Sequence, residues 1–471
     1  MPGIHPYIVG PAIERPEHFY GRGNEVRQFF SLLRALQLHS MQVIGLRRSG
    51  KTSFLKYVSH PKVLEREFAG CPPLIAALVD LQAEIRTPSD FYSAVARSIC
   101  RSPRLPERHD PPGVLSDRAA FDRWLQSPWL EGYRFVILLD EFEALKDTEA
   151  FDTHFFWSLR SLVGDKFAWV TASFRDLYRL SQKLGNSDPT SPFFNVFHPA
   201  PIVMGTLTDS EALDLIHRPL VPYNIKLSAM ACRAIQDLAG KQPFFLQAVA
   251  DQWVQSDYRG WSIRKIKQDV AHHLYQQLSR HFRPCWDHLS ESERHCLSFV
   301  AEDRLPAKAV SAFHDINDIK EDFEELTKYG LLEAQNGRTR ILGSMFSEWV
   351  RRQGRPSPPM GDGQTPAVSG HRVKTNRSDF RAKLRQKLTD HFNEEELQTL
   401  CFDMGLDYDS LEGQGKAGKA REFLAKVERD GTITRLLEMC RRLRPRVLWP
   451  DIPGMDGGVT TDLNDSALGR L

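Results

Sequence analysis

The stretch that decides the fold is MQVIGLRRSGKTSFLKYV, which runs from Met41 to Val58. It opens as an apolar β-strand, turns through Gly45 and Gly50, and continues as an amphipathic helix from Lys51. The pattern G-x-x-x-x-G-K-T between a strand and a helix lets backbone N–H groups and a helix N-terminus bind phosphate. We therefore predict a P-loop that binds one nucleotide per chain.

The side chains of this loop have separate expected roles. Lys51 is placed to reach the β- and γ-phosphates of ATP, and the Thr52 hydroxyl suits a Mg²⁺ ion. The expected ligands are ATP or ADP with Mg²⁺. The residues predicted to bind the nucleotide from this loop are Gly45, Arg48, Ser49, Gly50, Lys51, Thr52 and Ser53.

A second strand, RFVILLDEFEAL, ends in an acidic pair about 90 residues after the loop. Asp140 is expected to hold Mg²⁺ together with Thr52, and Glu141 to orient or deprotonate the attacking water. We thus predict Asp140 and Glu141 as the catalytic residues. The alternative is an ordinary strand end with two solvated carboxylates.

A third strand, FAWVTASFRDLYRLS, offers Thr171 and Ser173 near its carboxyl end. Their hydroxyls are candidates to sense the γ-phosphate, and Arg175 is a candidate to contact it; the alternative is a set of ordinary polar caps. Arg160, Arg175 and Arg179 are candidates for an arginine supplied by a neighbouring subunit.

A second G-x-x-x-x-G-K pattern, GQGKAGKA, begins at Gly413. No apolar strand precedes it, and Ala420 stands where a hydroxyl would bind Mg²⁺. We predict a turn before a helix here, and no second nucleotide.

A fourth apolar run, LIAALVDLQ from Leu74 to Gln82, also predicts a strand. Together these patterns predict an α/β core with a parallel sheet, followed by helices. The segment TLTDSEALDLI carries a capping box, Thr208 with Glu211. Helices followed by two short strands around Asn336-Gly337 are typical of a winged helix-turn-helix. The predicted domains are a P-loop core (1–204), a helical lid (205–283), a winged helix (284–352), a flexible linker (353–377), an all-helical domain (378–450) and a disordered tail (451–471).

Composition excludes several classes of protein. A net charge of +2 gives no global preference for nucleic acid or anionic membrane, and no apolar run is long enough for a membrane span. Seven scattered cysteines without a C-x-x-C pair predict reduced thiols in a cytoplasmic protein, and the N-terminus does not have the pattern of a signal peptide.

With these motifs placed, residues 7–352 resemble the STAND class of P-loop ATPases within the AAA+ lineage, in particular its archaeal-type ATPases. The resemblance lies in FYGRGNE (Phe19 to Glu25), GLRRSGKTS, VILLDEFE and the lid segment LAGKQPFFLQ. It implies that Gly240 and Pro243 approach the nucleotide, although Lys241 replaces a second glycine of the family pattern. It also implies an ATPase that uses nucleotide exchange and γ-phosphate sensing as a switch, with slow turnover.

Residues 378–450 are similar to a bacterial effector-associated domain with a death-like helical fold. The resemblance implies an effector protein that carries a matching domain as partner, in prokaryotic conflict or antiphage defence. Eight acidic residues and no Lys or Arg lie between 388 and 415, while both flanks are basic. Surfaces of opposite charge on one domain suit head-to-tail self-association. The alternative is that these charged helix faces are merely solvated.

The winged-helix region is a weak candidate for reading DNA. Its second helix, DINDIKEDFEELTKYG, carries six acidic residues against Lys320 and Lys328, which a phosphate backbone would repel. Arg338 and Arg340 near the hairpin tip favour the opposite view. We therefore expect an ATP-dependent signalling switch, with a DNA-handling AAA+ ATPase as the main alternative and a scaffold that binds nucleotide without hydrolysing it as a third.

Overall fold

The computed structural model describes most of the chain in two compact units, Met1–Pro358 and Pro359–Leu471. The described residues are 5–35, 37–69, 73–83, 85–105, 109–147, 150–177, 193–256, 258, 260–302, 316–335, 338–353, 384–389, 391–392, 394–404, 406–408, 410–411, 415–429, 432–444 and 449. The predicted linker after Gln353, the predicted tail and Arg179 lie outside these ranges.

The first unit begins with an α/β core. Its strands are β1 (Met41–Ile44), β2 (Leu74–Asp80), β3 (Arg134–Asp140), β4 (Phe167–Ser173) and β5 (Ile202–Val203). Its helices are α1 (Gly23–Leu33), α2 (Lys51–Ser59), α3 (Pro61–Glu67), α4 (Pro88–Cys100), α5 (Arg118–Leu125) and α6 (Thr153–Arg160). Short 3₁₀ turns occur at Pro16–His18, Pro128–Leu130, Phe142–Asp147 and Phe194–Val196.

The five strands form one parallel sheet in the order β2-β3-β4-β1-β5. The four strands predicted from sequence are confirmed. The two-residue strand β5 was not predicted, because two residues are too few for a periodic pattern to show. The carboxyl ends of β1, β3 and β4 lie side by side, so the residues that follow these strands meet at one edge of the sheet.

Helices cover both faces of the sheet, which explains its continuous apolar strands. One face packs against α1, α2 and α3 through residues such as Phe29, Phe54 and Val136. The other packs against α4 and α6 through residues such as Phe91 and Trp169. Because strand residues alternate between faces, Asp140 lies on the α2 side of the sheet and Thr171 on the α4 side.

A helical region follows the sheet. It contains α7 (Asp209–His217), a 3₁₀ turn at Arg218–Tyr223, α8 (Ala229–Ala239), α9 (Pro243–Gln255) and α10 (Ile263–Asp287). Thr208 and Glu211 form the predicted capping box at the start of α7. The buried faces of these helices share one core with the end of β1 at Ile44.

Residues 291–353 extend the same core. They form α11 (Glu291–Ala301), α12 (Ile316–Lys328), an antiparallel hairpin of β6 (Leu332–Gln335) and β7 (Arg338–Ile341), and α13 (Ser344–Gln353). The helices and the hairpin predicted for this region are present. Asn336 and Gly337 lie outside the described residues, and the assignment as a winged helix-turn-helix stays a prediction.

The second unit is helical in its described part. Residues 384–389 are helical, and α14 (Glu394–Asp403), α15 (Gly415–Arg429) and α16 (Ile433–Leu443) follow. They surround a core that includes Leu388, Leu400, Phe423 and Leu436.

Two features concern membrane spans and the state of the cysteines. Among the described residues, no helix combines the length and apolar character needed to cross a membrane. The six described cysteines are all buried and unpaired, whereas Cys71 lies outside the described ranges.

Candidate nucleotide-binding site

The loop between β1 and α2 has the backbone geometry of an anion site. Gly50 caps α2 with a φ of 97°, and Arg48 has a φ of 69°. The amide of Gly45 donates to the carbonyl of Ser173 at 3.2 Å, which continues the pairing of β1 with β4 into the loop. The N-terminus of α2 therefore points its free N–H groups into the cavity described below.

Gly45 is required by close packing. A Cβ atom there would lie 2.7 Å from Ser49 Oγ, 2.8 Å from the Met204 carbonyl and 2.9 Å from Met204 Cβ. The first glycine of the loop thus lets the end of β1 pass against the residue after β5.

Lys51 is buried at the first turn of α2. Its Nζ donates to the carbonyls of Gly45 at 2.7 Å and Leu46 at 3.3 Å. Burial lowers the pKa of Lys51, while the carboxylates of Glu143, Glu141 and Asp140 act in the opposite direction. A buried ammonium held by two carbonyls in front of an anion-binding loop fits a phosphate group.

Asp140 and Thr52 form the candidate metal site. The Thr52 side chain lies beside the Asp140 carboxylate, and the amide of Glu141 donates to Asp140 Oδ1 at 3.1 Å. Burial raises the pKa of Asp140, and the neighbouring Thr52 hydroxyl opposes that shift. A hydroxyl and a carboxylate beside a phosphate site are oxygen ligands of the kind that Mg²⁺ prefers, with water and phosphate completing its shell.

Glu141 is paired with a second carboxyl group that sequence reasoning did not assign. Glu141 has a φ of 53°, which turns the chain sharply at the end of β3, and Glu143 follows on the 3₁₀ turn. The two carboxyl groups are neighbours, and Oε2 of each is buried without a partner. Burial, with a smaller contribution from Glu141, raises the pKa of Glu143 to about 7. This acidic pair faces Lys51.

Lys51, Thr52 and Glu141 line a cavity of about 380 Å³, within the usual range for small-molecule sites. Its lining comes from the P-loop, the acidic strand end, the N-terminal segment and α9. The lining residues are Ile8, Gly10, Pro11, Ala12, Ile13, Arg47, Arg48, Gly50, Lys51, Thr52, Ser53, Gln82, Glu141, Pro243, Phe244 and Gln247.

The side of the cavity formed by α9 is partly apolar. Pro243 starts that helix, and the Arg48 guanidinium lies 4.6 Å from the centre of the Phe244 ring. Arg48 also donates to the carbonyl of Gly10 at 2.8 Å, and Ser53 Oγ accepts from the amide of Ile13 at 3.0 Å. The entry segment and the lid are thereby both tied to the P-loop, and Phe244 offers a flat apolar surface for a nucleotide base.

The hydroxyls proposed as phosphate sensors lie elsewhere. Thr171 is fully buried on the α4 side of the sheet, where its Oγ1 has no partner, and Ser173 Oγ donates to the carbonyl of Arg175 at 2.5 Å. Neither lines the cavity. The physical reason is strand alternation, which turns their side chains away from the face that carries α2 and Asp140.

Arg175 also differs from its predicted role. Its Nη1 donates to Glu293 Oε1 at 2.8 Å, its Nη2 is bonded to Glu293 Oε2, and its guanidinium lies 5.0 Å from the centre of the Tyr329 ring. It is therefore committed to Glu293 of α11 and to Tyr329, the residue that follows α12. Arg160 is exposed at the end of α6.

Gly240 was predicted to approach the nucleotide, but it lies in a part of the lid that does not line the cavity. A Cβ there would lie 3.1 Å from the carbonyl carbon of Leu342 and 3.2 Å from the amide nitrogen of Gly343, so it packs against the turn after β7. Lys241 bonds to Asp209 at 3.0 Å and to Glu333 at 2.9 Å. Of the two predicted lid residues, Pro243 lines the cavity and Gly240 does not.

The second glycine-lysine pattern contributes to the packing of the C-terminal helical domain. Ala420 is fully buried on α15, and Lys419 donates to the carbonyls of Tyr408 at 3.2 Å and Leu411 at 2.7 Å. The lysine closes a turn of its own domain, in agreement with the sequence-based interpretation.

The hairpin offers little free positive charge in its described part. Arg340 bonds Glu333 through Nε at 3.2 Å and Nη2 at 2.8 Å. The side chain of Arg338 lies outside the described set. The Arg340 contact weakens the argument for DNA binding, because that arginine is neutralised within the hairpin.

Three residues of the site region went unassigned from the sequence: Phe244 and Gln247, which line the cavity, and Glu143, which lies beside Glu141. Each stands close to a motif that was recognised, Glu143 after Asp140-Glu141 and the other two after Pro243. A second acid after the catalytic pair and an aromatic residue after the lid proline were the available signals.

Comparison with protein families agrees with this site. The family model described as Novel STAND NTPase 2 matches residues 28–304, more than half of the chain. The chain belongs to this family. It is therefore a P-loop ATPase, as the loop, the acidic strand end and the cavity indicate. A second model, Effector-associated domain 7, matches residues 384–445, which confirms the resemblance of the C-terminal region.

Solved structures with a similar fold include a Walker-type ATPase of Pyrococcus abyssi, with 15% identity, a TM-score of 0.49, and coverage of 72% of this chain and 98% of that one. The ORC2 protein of Aeropyrum pernix has 13% identity and a TM-score of 0.40 over 74% of this chain and 96% of its own. The RuvB branch-migration motor of Thermotoga maritima has 15% identity and a TM-score of 0.36 over 74% and 99%. No curated protein matches the chain.

Proposed function

We propose that this protein is an ATP-dependent signalling switch that self-associates and recruits an effector through its C-terminal helical domain. The observation that carries the proposal is the cavity in which Lys51, Thr52 and Glu141 meet the lid residue Pro243. A nucleotide held there would touch both the sheet and the lid, so its phosphates would influence how the two pack.

The P-loop would hold the nucleotide. The α2 N-terminus and Lys51 bind the phosphates, and Phe244 with the entry segment receives the base. On phosphate binding, the Lys51 ammonium exchanges its bonds to the Gly45 and Leu46 carbonyls for bonds to phosphate oxygens. The exchange keeps the buried charge compensated throughout.

The acidic strand end would perform hydrolysis. Mg²⁺, held by Thr52 and Asp140, would neutralise charge that develops on the phosphates. Glu141 would accept the proton of the attacking water, and the buried Glu143 carboxyl lies beside it.

The packing around the loop supports the switch. The Cys285 thiol of α10 donates to the carbonyl of Arg47 at 3.7 Å, so the P-loop contacts the helix that leads into the 291–353 region. Nucleotide-dependent movement of the loop would therefore reach α10 directly.

In the proposed switch, the effector-associated domain is the part that binds the effector. Its match supports a partner protein with a domain of the same kind, in prokaryotic conflict or antiphage defence. The buried, unpaired cysteines favour a reducing compartment such as the cytoplasm.

Mass photometry of two variants tests the proposal. Glu141→Gln should retain ATP and convert to a discrete larger particle with ATP and Mg²⁺, while Lys51→Ala should keep its resting mass because it lacks the phosphate-binding ammonium. If Glu141→Gln binds ATP without any change of mass, ATP alone does not drive assembly.

The DNA-handling alternative is tested by ATPase assays with and without duplex DNA. A rise in turnover of about tenfold or more with duplex, weakened by salt, would favour that alternative. Unchanged turnover is expected, because α12 is acidic and Arg340 is paired with Glu333.

A further inference from the structure

Helix α14 presents an exposed face that carries Glu395 and one large apolar side chain, on a helix rich in acidic residues. Glu395, Gln398, Thr399 and Phe402 are all exposed and lie at helical spacing, i, i+3, i+4 and i+7. The helix has four acidic residues and no Lys or Arg. Phe402 is 81% exposed, although the neighbouring Leu400 and Cys401 are fully buried.

An exposed phenylalanine on a charged helix is typical of a surface that binds another protein. Aromatic side chains supply much of the binding energy at interfaces, because they bury a large area with few rotatable bonds. Acidic neighbours would keep such a helix soluble and steer it towards a basic partner.

Helix α15 of the same domain has the complementary surface. Its sequence contains five basic and two acidic residues. Arg421 and Arg429 are exposed on one side of it, and the half-buried Ala425 lies between them at four-residue spacing. Arg421 forms a surface ion pair with Glu422 at 3.3 Å. Such a pair contributes little free energy, so Arg421 can leave it for another partner at small cost.

We propose that α14 of one copy docks on α15 of a second copy, with Phe402 packed on Ala425 between Arg421 and Arg429. Guanidinium groups pack favourably on aromatic rings, and the small side chain of Ala425 leaves room for one. This inference rests on the proposed function, since it names the surface through which the C-terminal domains gather.

The contact would be head to tail. The acidic and basic faces belong to different helices of one domain, so each copy that uses one face leaves the other free for the next copy. Such a contact extends into a row, which suits a domain that gathers partners.

The test uses the full chain in sedimentation velocity, with and without ATP and Mg²⁺. Phe402→Ala should weaken self-association about tenfold or more, because it removes the central apolar contact. Phe402 is exposed, so the substitution should leave the far-ultraviolet circular dichroism and the unfolding midpoint unchanged. The matched control is Val221→Ala, which truncates another exposed apolar side chain in the first unit and should have no effect.

A charge exchange tests which helices meet. Glu395→Lys alone and Arg429→Glu alone should each weaken self-association, since both place like charges across the contact. A mixture of the two variants should associate again, because each mutant face then finds an opposite charge. Raising NaCl from about 0.1 M to about 0.5 M should weaken association of the parent chain.

The outcomes separate this inference from the proposed switch. If the parent assembles with ATP and Phe402→Ala and the charge variants assemble equally well, the α14–α15 contact is wrong and the switch stands. If association depends on Phe402 but not on ATP, the contact stands and ATP control is wrong. If the parent remains monomeric in every condition, both are wrong.

Discussion

Arg175 and Glu293 form a buried two-point ion pair between the end of β4 and the first turn of α11. Arg175 Nη1 lies 2.8 Å from Glu293 Oε1, and the two residues are only 6% and 1% exposed. Arg175 also donates to the carbonyl of His288 at 3.3 Å. This pair joins a strand that borders the P-loop to the region proposed as a winged helix.

Removing one partner of this pair should destabilise the first unit strongly. Arg175→Met leaves the buried Glu293 carboxylate without its cation, and we expect a loss of about 3–5 kcal/mol in the free energy of unfolding. Urea unfolding followed by tryptophan fluorescence measures the change.

Two further variants identify the cause. In the double variant Arg175→Met/Glu293→Gln the buried Glu293 charge is gone, Glu325 keeps its pairing with Lys328, and Gln can still accept from the amide of Ser290, so part of the stability should return. Arg160→Met, at an exposed arginine, should change the free energy by less than about 0.5 kcal/mol. Equal effects of Arg175→Met and Arg160→Met would show that the pair contributes no net stability.

The raised pKa of Glu143 predicts a stability that depends on pH. Its pKa is about 7 in the folded chain against an ordinary value of 4.5, so the folded state binds more protons between these values. The contribution of Glu143 is therefore fully present below pH 4.5 and is lost as the pH rises through about 7.

Glu143→Gln removes this titration. The variant should match the parent near pH 4.5 and exceed it at pH 8 by about 1–3 kcal/mol in the free energy of unfolding. Urea midpoints measured from pH 4.5 to 8 give the difference, with Glu131→Gln at an exposed glutamate as control. A difference that is flat across this range would mean that Glu143 is not held neutral by burial.

The pairing of Thr52 with Asp140 predicts a specific effect on the metal requirement. Thr52→Val keeps the shape of the side chain and removes the hydroxyl, so the Mg²⁺ concentration for half-maximal ATPase activity should rise about tenfold or more. Nucleotide binding measured without Mg²⁺ should change little. Thr52→Ser retains the hydroxyl and should follow the parent; superimposable Mg²⁺ titrations of Thr52→Val and parent would remove Thr52 from the metal site.

Gly45 should tolerate no side chain. Gly45→Ala places a methyl group against Ser49 Oγ and the Met204 carbonyl, and we expect a loss of about 1–3 kcal/mol together with weaker nucleotide binding. Gly113→Ala is the control, since a Cβ there meets nothing within 4 Å. Thermal unfolding and nucleotide titration would report both effects, and equal midpoints for the two variants would contradict the packing argument.

The sequence was sufficient to place the proposed phosphate, metal and base residues at one edge of the sheet, and their catalytic roles stay predictions. Lys51, Thr52, Asp140 and Glu141 follow directly from strand ends and glycine spacing, since parallel strands bring their carboxyl ends to one edge. Sequence patterns of this kind are local, and local spacing was sufficient for each of these residues.

The sequence did not predict which side chains these residues contact. Glu143 acquires its raised pKa from burial beside Glu141, and no feature of the string FEAL reports burial. Gly240 matched a family motif, but its close contacts are with Leu342 and Gly343, about 100 residues later in the chain.

By itself, the sequence of this protein determined the P-loop, the acidic strand end and the parallel sheet, because glycine placement and apolar periodicity act over a few residues. Tertiary structure alone decided which face each strand side chain meets, and hence that Thr171 and Ser173 turn away from the cavity. It also decided that Arg175 binds Glu293, 118 residues away. Such contacts depend on how distant segments pack, and the energy of a buried charge is fixed only when its surroundings are complete.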